Sequence, residues 1–308
     1  MSFVSKLYDR FSYALFGILP ELPPFDENFQ WADEKIRQTG RCAFSHSGGL
    51  GDILFSLCFC RELAEATGND AFDFHIRTNV RDAAMLGHSH PFGSVRMTVE
   101  AAEFIRPLLE SQPFIRSVSS GDHLPEDSVD LDRCRDLKIN FSSGQIQNWY
   151  YNLCRCHLPR EFWKPVLQLE PDLRFADKIL FTATERYRNI CLDYSQLKRF
   201  RSRLLFTGTQ QEYRIFREKY FDLEYLPAAS MLEIARAIAG AKGFIGNQSG
   251  IFSVAECLKV PRILLAPERV IFKKQIGPGP HVNQPQGGWC EDVATSEKMV
   301  AALEELLK

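Results

Sequence analysis

Two glycine-rich turns in this chain carry side chains suited to different halves of one reaction. In Ser47-Gly-Gly-Leu-Gly-Asp52 the glycines Gly48, Gly49 and Gly51 let a ligand approach the backbone, and Asp52 falls in the first turn of a helix. A carboxylate fixed there and facing a cleft can act as a general base toward a hydroxyl, although a lone Asp at that place often only caps the helix. In Gly246-Asn-Gln-Ser-Gly250 the residues Asn247, Gln248, Ser249 and Gly250 lead straight into another helix, whose free N–H groups and positive dipole end suit a phosphate. Ser249 is also an ordinary N-cap. Three further turns add to this second site. Arg186 and Arg188 in Thr182-Ala-Thr-Glu-Arg-Tyr-Arg-Asn189 can clamp a diphosphate. Gly208 and Thr209 end another strand, and Glu268 in Ala266-Pro-Glu268 can accept hydrogen bonds from ribose hydroxyls. Each is unremarkable alone. Together at one sheet edge they describe a nucleotide-diphosphate site.

The elements that must position these turns alternate regularly. Residues 41–46 read as a strand, 52–67 as a helix ending at Gly68, 72–77 as a strand, 98–110 as a helix, 115–119 as a strand and 128–132 as a short fourth strand. After a crossing over 162–177 with Pro165 and Pro171, a second set begins. Strands are expected at 178–182, 203–208, 223–226, 243–246 and 262–265, and helices at 189–200, 211–220, 231–241 and 251–258. A Gly/Pro-rich loop over 277–288 and a closing helix over 297–307 follow. Alternation of this kind gives an α/β fold of two Rossmann-like doubly wound domains facing across a cleft, divided into 1–168 and 169–308. Open parallel sheets bind ligands outside the carboxyl ends of their strands, where all the turns above fall.

Composition narrows the partners. The chain has 308 residues, 45% of them hydrophobic, and a formal net charge of −2, so it lacks the basic excess that nucleic-acid binding requires. Nine cysteines, several of them inside apolar runs where Cys packs as a small buried hydrophobe, read as reduced in a cytoplasmic protein. The pairs Cys58/Cys60 and Cys154/Cys156 are placed in helices, where residues two apart do not share a face, so core packing is expected and a metal is not. Residues 1–19 form an amphipathic pattern with Lys6, Asp9 and Arg10 interrupting any signal sequence. They read as a helix lying on the protein's own surface, with peripheral membrane contact as the alternative. The glycine turn at 47–52 has the wrong spacing for a dinucleotide fingerprint, and the second strand runs into Arg77-Thr-Asn79 without an acid, so NAD binding is disfavoured.

The stretch Ser47-Gly-Gly-Leu-Gly-Asp-Ile-Leu-Phe-Ser-Leu57 resembles the N-terminal glycine-Asp motif of the bacterial heptosyltransferases, the family-nine glycosyltransferases. Gly246-Asn-Gln-Ser-Gly-Ile-Phe-Ser-Val-Ala-Glu-Cys-Leu-Lys-Val-Pro261 resembles their C-terminal donor-phosphate motif. The resemblance implies a GT-B fold, inversion at the anomeric carbon without a metal or other cofactor, and Asp52 as the base. It places donor phosphate on Arg186 or Arg188 and on Gln248, Ser249 and Gly250. The sequence departs from the family at Gln248, where an acidic residue is usual, and at Ser253, where a His is usual, which implies a donor other than ADP-heptose. The expected reaction moves a sugar from a nucleotide-diphosphate donor to a glycan, lipid-linked or protein acceptor. Two rivals share the scaffold: a nucleotide-sugar epimerase or hydrolase, and a non-catalytic nucleotide-sugar binder. An epimerase would want His groups paired with carboxylates, and none of the seven His forms a clear pair in the sequence. Asp130-Leu-Asp132 has the metal-binding form of single-domain transferases, but in the first half it reads as strand-end solvation or a link to Arg133 and Arg135.

Overall fold

The computed structural model describes residues 30–81, 95–137, 146–185, 187–265, 269–272, 275–278 and 286–308. Residues 1–19, Arg186 and Glu268 therefore lie outside the described residues.

In the first half, α1 (Ala32–Thr39) precedes β1 (Ala43–His46), α2 (Leu50–Ala66), β2 (Phe72–Arg77), α3 (Val99–Glu110), β3 (Ile115–Gly121) and β4 (Val129–Asp130). The sheet is parallel in the order β3-β2-β1-β4, so the chain reverses direction between β1 and β4. That reversal opens a crevice at the carboxyl ends of these two strands. β4 is shorter than the sequence suggests, because the Asp130 side chain accepts the Asp132 N–H and turns the chain into a 3-10 helix over Leu131–Asp136. A helix not foreseen, α4 (Ile146–Tyr151), follows. Cys154 and Cys156 lie beyond its end, not in a helix.

The second half contains β5 (Ile179–Thr182), β6 (Leu204–Phe206), α5 (Gln210–Lys219), β7 (Glu224–Tyr225), α6 (Met231–Gly240), β8 (Gly243–Gly246), α7 (Gly250–Leu258) and β9 (Arg262–Leu265). A hairpin of β10 (Arg269–Phe272) and β11 (Gln275–Pro278) comes next, then β12 (Cys290–Val293) and α8 (Ser296–Leu307). Six parallel strands run β12-β9-β8-β5-β6-β7, with the reversal between β5 and β8. Three features differ from the expected pattern. The hairpin begins beyond the expected 262–265 strand and ends at the start of the stretch taken as loop, and the edge strand β12 follows that stretch. The helix expected over 189–200 is a 3-10 helix at Tyr194–Phe200 only. Asn189 and Asp193 side chains accept the N–H groups of Cys191 and Ser195, which diverts the backbone from an α-helical start.

Alternation along β5 sends Leu180 to one face of the sheet and Ile179 and Phe181 to the other. The outer face closes under α8 with Phe206, Ile263, Leu265, Met299 and Leu303. On the inner face Leu180, Phe244 and Leu264 join α6, α7, α2 and the whole first half in one continuous core. The crossing segment is fixed on both sides, Val166 donating to Cys257 O at 2.9 Å and the Gln168 N–H to Gln112 Oε1 at 2.9 Å. Along the seam α2 lies against α7, and the Cys257 thiol reaches Leu54 O at 3.5 Å.

A candidate active site at the meeting of two helix starts

Close approach of α2 and α7 depends on a glycine in the first turn of each helix. A methyl group at Gly51 would stand 2.7 Å from Ser253 Oγ, and one at Gly250 would stand 2.9 Å from Leu50 Cβ. From the sequence Gly51 is expected to serve the acceptor and Gly250 phosphate; in the structure the two set the distance between the halves. Gly48 serves the loop itself, since a side chain there would meet His46 Cε1 at 2.6 Å and Asp52 Cβ at 2.7 Å. Gly49 has open space on its Cβ side, with only Asp52 Oδ2 at 3.9 Å.

Asp52 is the third residue of α2 and its carboxylate is divided in use. Oδ2 accepts the Gly49 N–H at 3.1 Å, as a helix cap does, and pairs with Arg135 Nη2 at 3.1 Å. Oδ1 has no partner among the described residues. The helix cap weighed from the sequence therefore uses one oxygen of Asp52 and leaves the other without a hydrogen bond among the described residues.

Behind this loop lies a buried polar network that the sequence did not reveal. His46, fully buried at the end of β1, stands with Nδ1 3.1 Å from Asp132 Oδ1 and Nε2 2.8 Å from the Tyr150 hydroxyl. The Tyr150 hydroxyl donates to Asp52 O at 3.0 Å, so His46 Nε2 carries the hydrogen that Tyr150 oxygen accepts. Asp132 Oδ2 accepts the Ser47 N–H at 2.9 Å; Arg96 Nη1 lies 3.4 Å from Oδ1 and Arg77 Nη1 3.7 Å from Oδ2. Burial works against the ionised form of Asp132, but the His46 ring, the hydrogen bond from Ser47 and the charge of Arg135 outweigh it and hold the carboxyl well below its usual range. Asp130 is pushed upward by burial and by the charge of Asp132. The expectation that no His pairs with a carboxylate is thus corrected. These residues stand 86 apart in sequence, a separation at which no motif can couple them. Of the two links expected for the Asp-x-Asp segment, Arg135 Nε does approach Asp132 at 3.9 Å, whereas Arg133 pairs with Asp136 at 2.7 Å.

At the reversal point of the second sheet, Thr182 and Gly246 are register partners, and their following loops are tied together. Asn247 is fully buried; its amide donates to Thr184 O at 2.9 Å and Thr184 Oγ1 at 2.7 Å, and its Oδ1 accepts the Thr184 N–H at 2.9 Å. Asn247 thus shapes the crevice by joining its two walls. Gln248 is buried beside it, and Ser249 caps α7 by accepting the Phe252 N–H at 3.1 Å. Every other described helix of eight or more residues has an acid in its first turn; α7 has none, so it offers its dipole end no counter-charge of its own. Arg188, largely buried, reaches Glu185 at 2.8 Å and Ala183 O at 3.4 Å, while its Nε has no partner among the described residues. The buried Thr182 and Thr207 hydroxyls at the same edge are likewise unpaired within the described residues. Thr209 is spent as the cap of α5, accepting the Glu212 N–H at 3.1 Å, and the Gly208 carbonyl accepts from the Tyr225 hydroxyl at 3.1 Å.

This arrangement of two parallel sheets is similar to that of solved structures. The structure of Escherichia coli ADP-heptose lipopolysaccharide heptosyltransferase II matches with a TM-score of 0.50 at 13% identity, covering 86% of this chain and 98% of that one. The fold is the heptosyltransferase GT-B fold. Escherichia coli heptosyltransferase WaaC bound to ADP matches with a TM-score of 0.46 at 12% identity, over 86% of this chain and 99% of that one. A glycosyltransferase family 9 protein of Veillonella parvula gives 0.45 at 13% identity, over 86% and 96%. No family model and no curated protein matches the sequence. Among the described residues no group of three or more His, Cys, Asp and Glu could hold a metal ion, and no helix is long and apolar enough to cross a membrane.

Proposed function

We propose that the protein is an inverting glycosyltransferase that takes a sugar from a nucleotide-diphosphate donor held in the second half and transfers it to an acceptor hydroxyl held in the first. The contact of Gly51 with the start of α7 carries this reading, because it brings the first turn of α2, which holds Asp52, against the start of the one described long helix whose own first turn has no acid. In this reading the donor diphosphate lies at α7 against Ser249 and Gly250, with Arg188 and Arg186 meeting its charge and Glu268 its ribose. The acceptor hydroxyl gives its proton to Asp52 while its oxygen attacks the anomeric carbon, and the bond to the diphosphate breaks with its electron pair on the leaving group. The acceptor-side turn is Gly48 to Gly51. Residues 1–168 and 169–308 serve as acceptor and donor halves.

Incubation with a panel of radiolabelled nucleotide sugars, followed by detection of donor turnover, tests the reading; a donor panel with no turnover and no binding defeats it. The double variant Arg186→Ala, Arg188→Ala is expected to weaken nucleoside diphosphate binding by roughly 1.5–3 kcal/mol for each charge-assisted hydrogen bond it removes. Unchanged UDP, GDP and ADP titrations would remove the arginines from the donor site. Turnover is expected to survive EDTA, with Arg and helix dipole meeting the leaving-group charge. Loss of activity on chelation, restored by manganese or magnesium, would instead assign the donor to Asp130 and Asp132.

A further inference from the structure

Asp52 can accept a proton productively only if its carboxylate is held with one oxygen toward the substrate. The loop alone supplies a single constraint, the Gly49 N–H on Oδ2. The second comes from a different part of the chain, Arg135 Nη2, also on Oδ2 at 3.1 Å. Arg135 reaches this place because the 3-10 turn over Leu131–Asp136 is pinned to the Asp52 loop through Asp132, which accepts the Ser47 N–H and faces His46. The guanidinium is partly buried, with side-chain exposure of 32% against 24% for Asp52, and its Nε faces inward without a hydrogen-bond partner among the described residues. Its orientation is therefore set by the turn that carries it and by its charge partners.

We propose that Arg135 is the positioning residue of the base: it fixes Oδ2 and so selects Oδ1 as the atom that takes the acceptor proton. This rests on the reading of Asp52 as base. Arg135 itself touches neither the transferred proton nor the donor. In its absence the carboxylate is free to rotate about its remaining single contact, and a misplacement of about 1 Å costs on the order of 10²-fold in rate.

The variants Arg135→Ala and Arg135→Lys, each checked by melting temperature, provide the test with whichever nucleotide sugar the wild-type protein turns over. Arg135→Ala is expected to lower kcat by about 10–100-fold with the donor KM little changed. Added guanidinium chloride at millimolar concentration should restore part of that loss, and Arg135→Lys should fall between. A folded Arg135→Ala protein with wild-type kcat, or one whose loss guanidinium does not relieve, overturns the proposal. A crystal structure of Arg135→Ala decides the matter independently of activity: an Asp52 carboxylate that leaves its present orientation supports the positioning role, and one that stays in place overturns it. If the wild-type protein turns over no donor, it is the base reading that fails, and the crystal structure still judges Arg135.

Discussion

Asp52→Asn is expected to lower kcat by about 10²–10⁴-fold while nucleoside diphosphate affinity stays near its wild-type value. The substitution is informative because the structural duties of Asp52 fall on Oδ2. An amide oxygen can still accept the Gly49 N–H, and Asn caps helices as well as Asp, so α2 should keep its start and the melting temperature should move little. The pair with Arg135 is partly exposed and contributes modestly to stability. What Asn cannot do is accept a proton on the second oxygen. Steady-state kinetics with a saturating donor, together with diphosphate titration, measure both quantities. Near-normal turnover would take Asp52 out of the mechanism and leave a nucleotide-sugar binder whose chemistry is unassigned.

Glu256→Ala should be the most damaging single change away from the site, at about 3–5 kcal/mol of stability. Glu256 is buried in α7, where it pairs with Lys259 and with the fully buried Arg262, Nε to Oε2 at 2.6 Å. It also accepts the Gln286 N–H at 3.2 Å, and Arg262 donates to Gln286 O and Gly287 O at 2.9 Å each. Removing the carboxylate leaves two cations out of water without a counter-charge and frees the segment that enters β12. Urea denaturation measures the loss. A cost below about 1 kcal/mol would show that water or a neighbouring group replaces the carboxylate readily.

Much of the fold was legible because its signals are local. Threonine and serine caps at Thr98, Thr209, Ser230, Ser249 and Thr295 each accept an N–H of the first turn, and the helices begin where those residues stand. The apolar runs at 72–77, 243–246 and 262–265 became strands at those bounds. Local competition explains one miss, the Asx turns at Asn189 and Asp193 that displaced a helix. Position in the sheet explains another: β12 is an edge strand, exposed at Glu291 and Asp292, and has no apolar run to announce it. Within the candidate site, Asp52 and the start of α7 were visible as residue types in glycine turns. His46, Asp132, Tyr150 and Arg135 were not, since their meaning lies in contacts that span much of the first half. One sign was present, a histidine ending a buried strand directly before the glycine turn. Equally invisible was that Gly51 and Gly250 face each other.

The seam between α2 and α7 also limits how such a protein can be divided or recombined. Ile53, Leu54, Leu57 and Cys58 share one core with Phe252, Val254, Ala255 and Cys257, so neither half has a finished surface on that side. A second half borrowed from another protein of this fold would arrive with different side chains along α7, and the mismatch would fall on the two glycines that bring the two helix starts together. Under the proposed function, changes in donor preference are therefore accessible through the loops after β5 and β8, which leave the seam intact, and closed to wholesale exchange of halves. A protein built this way inherits its two halves together and acquires new specificity by editing the rim.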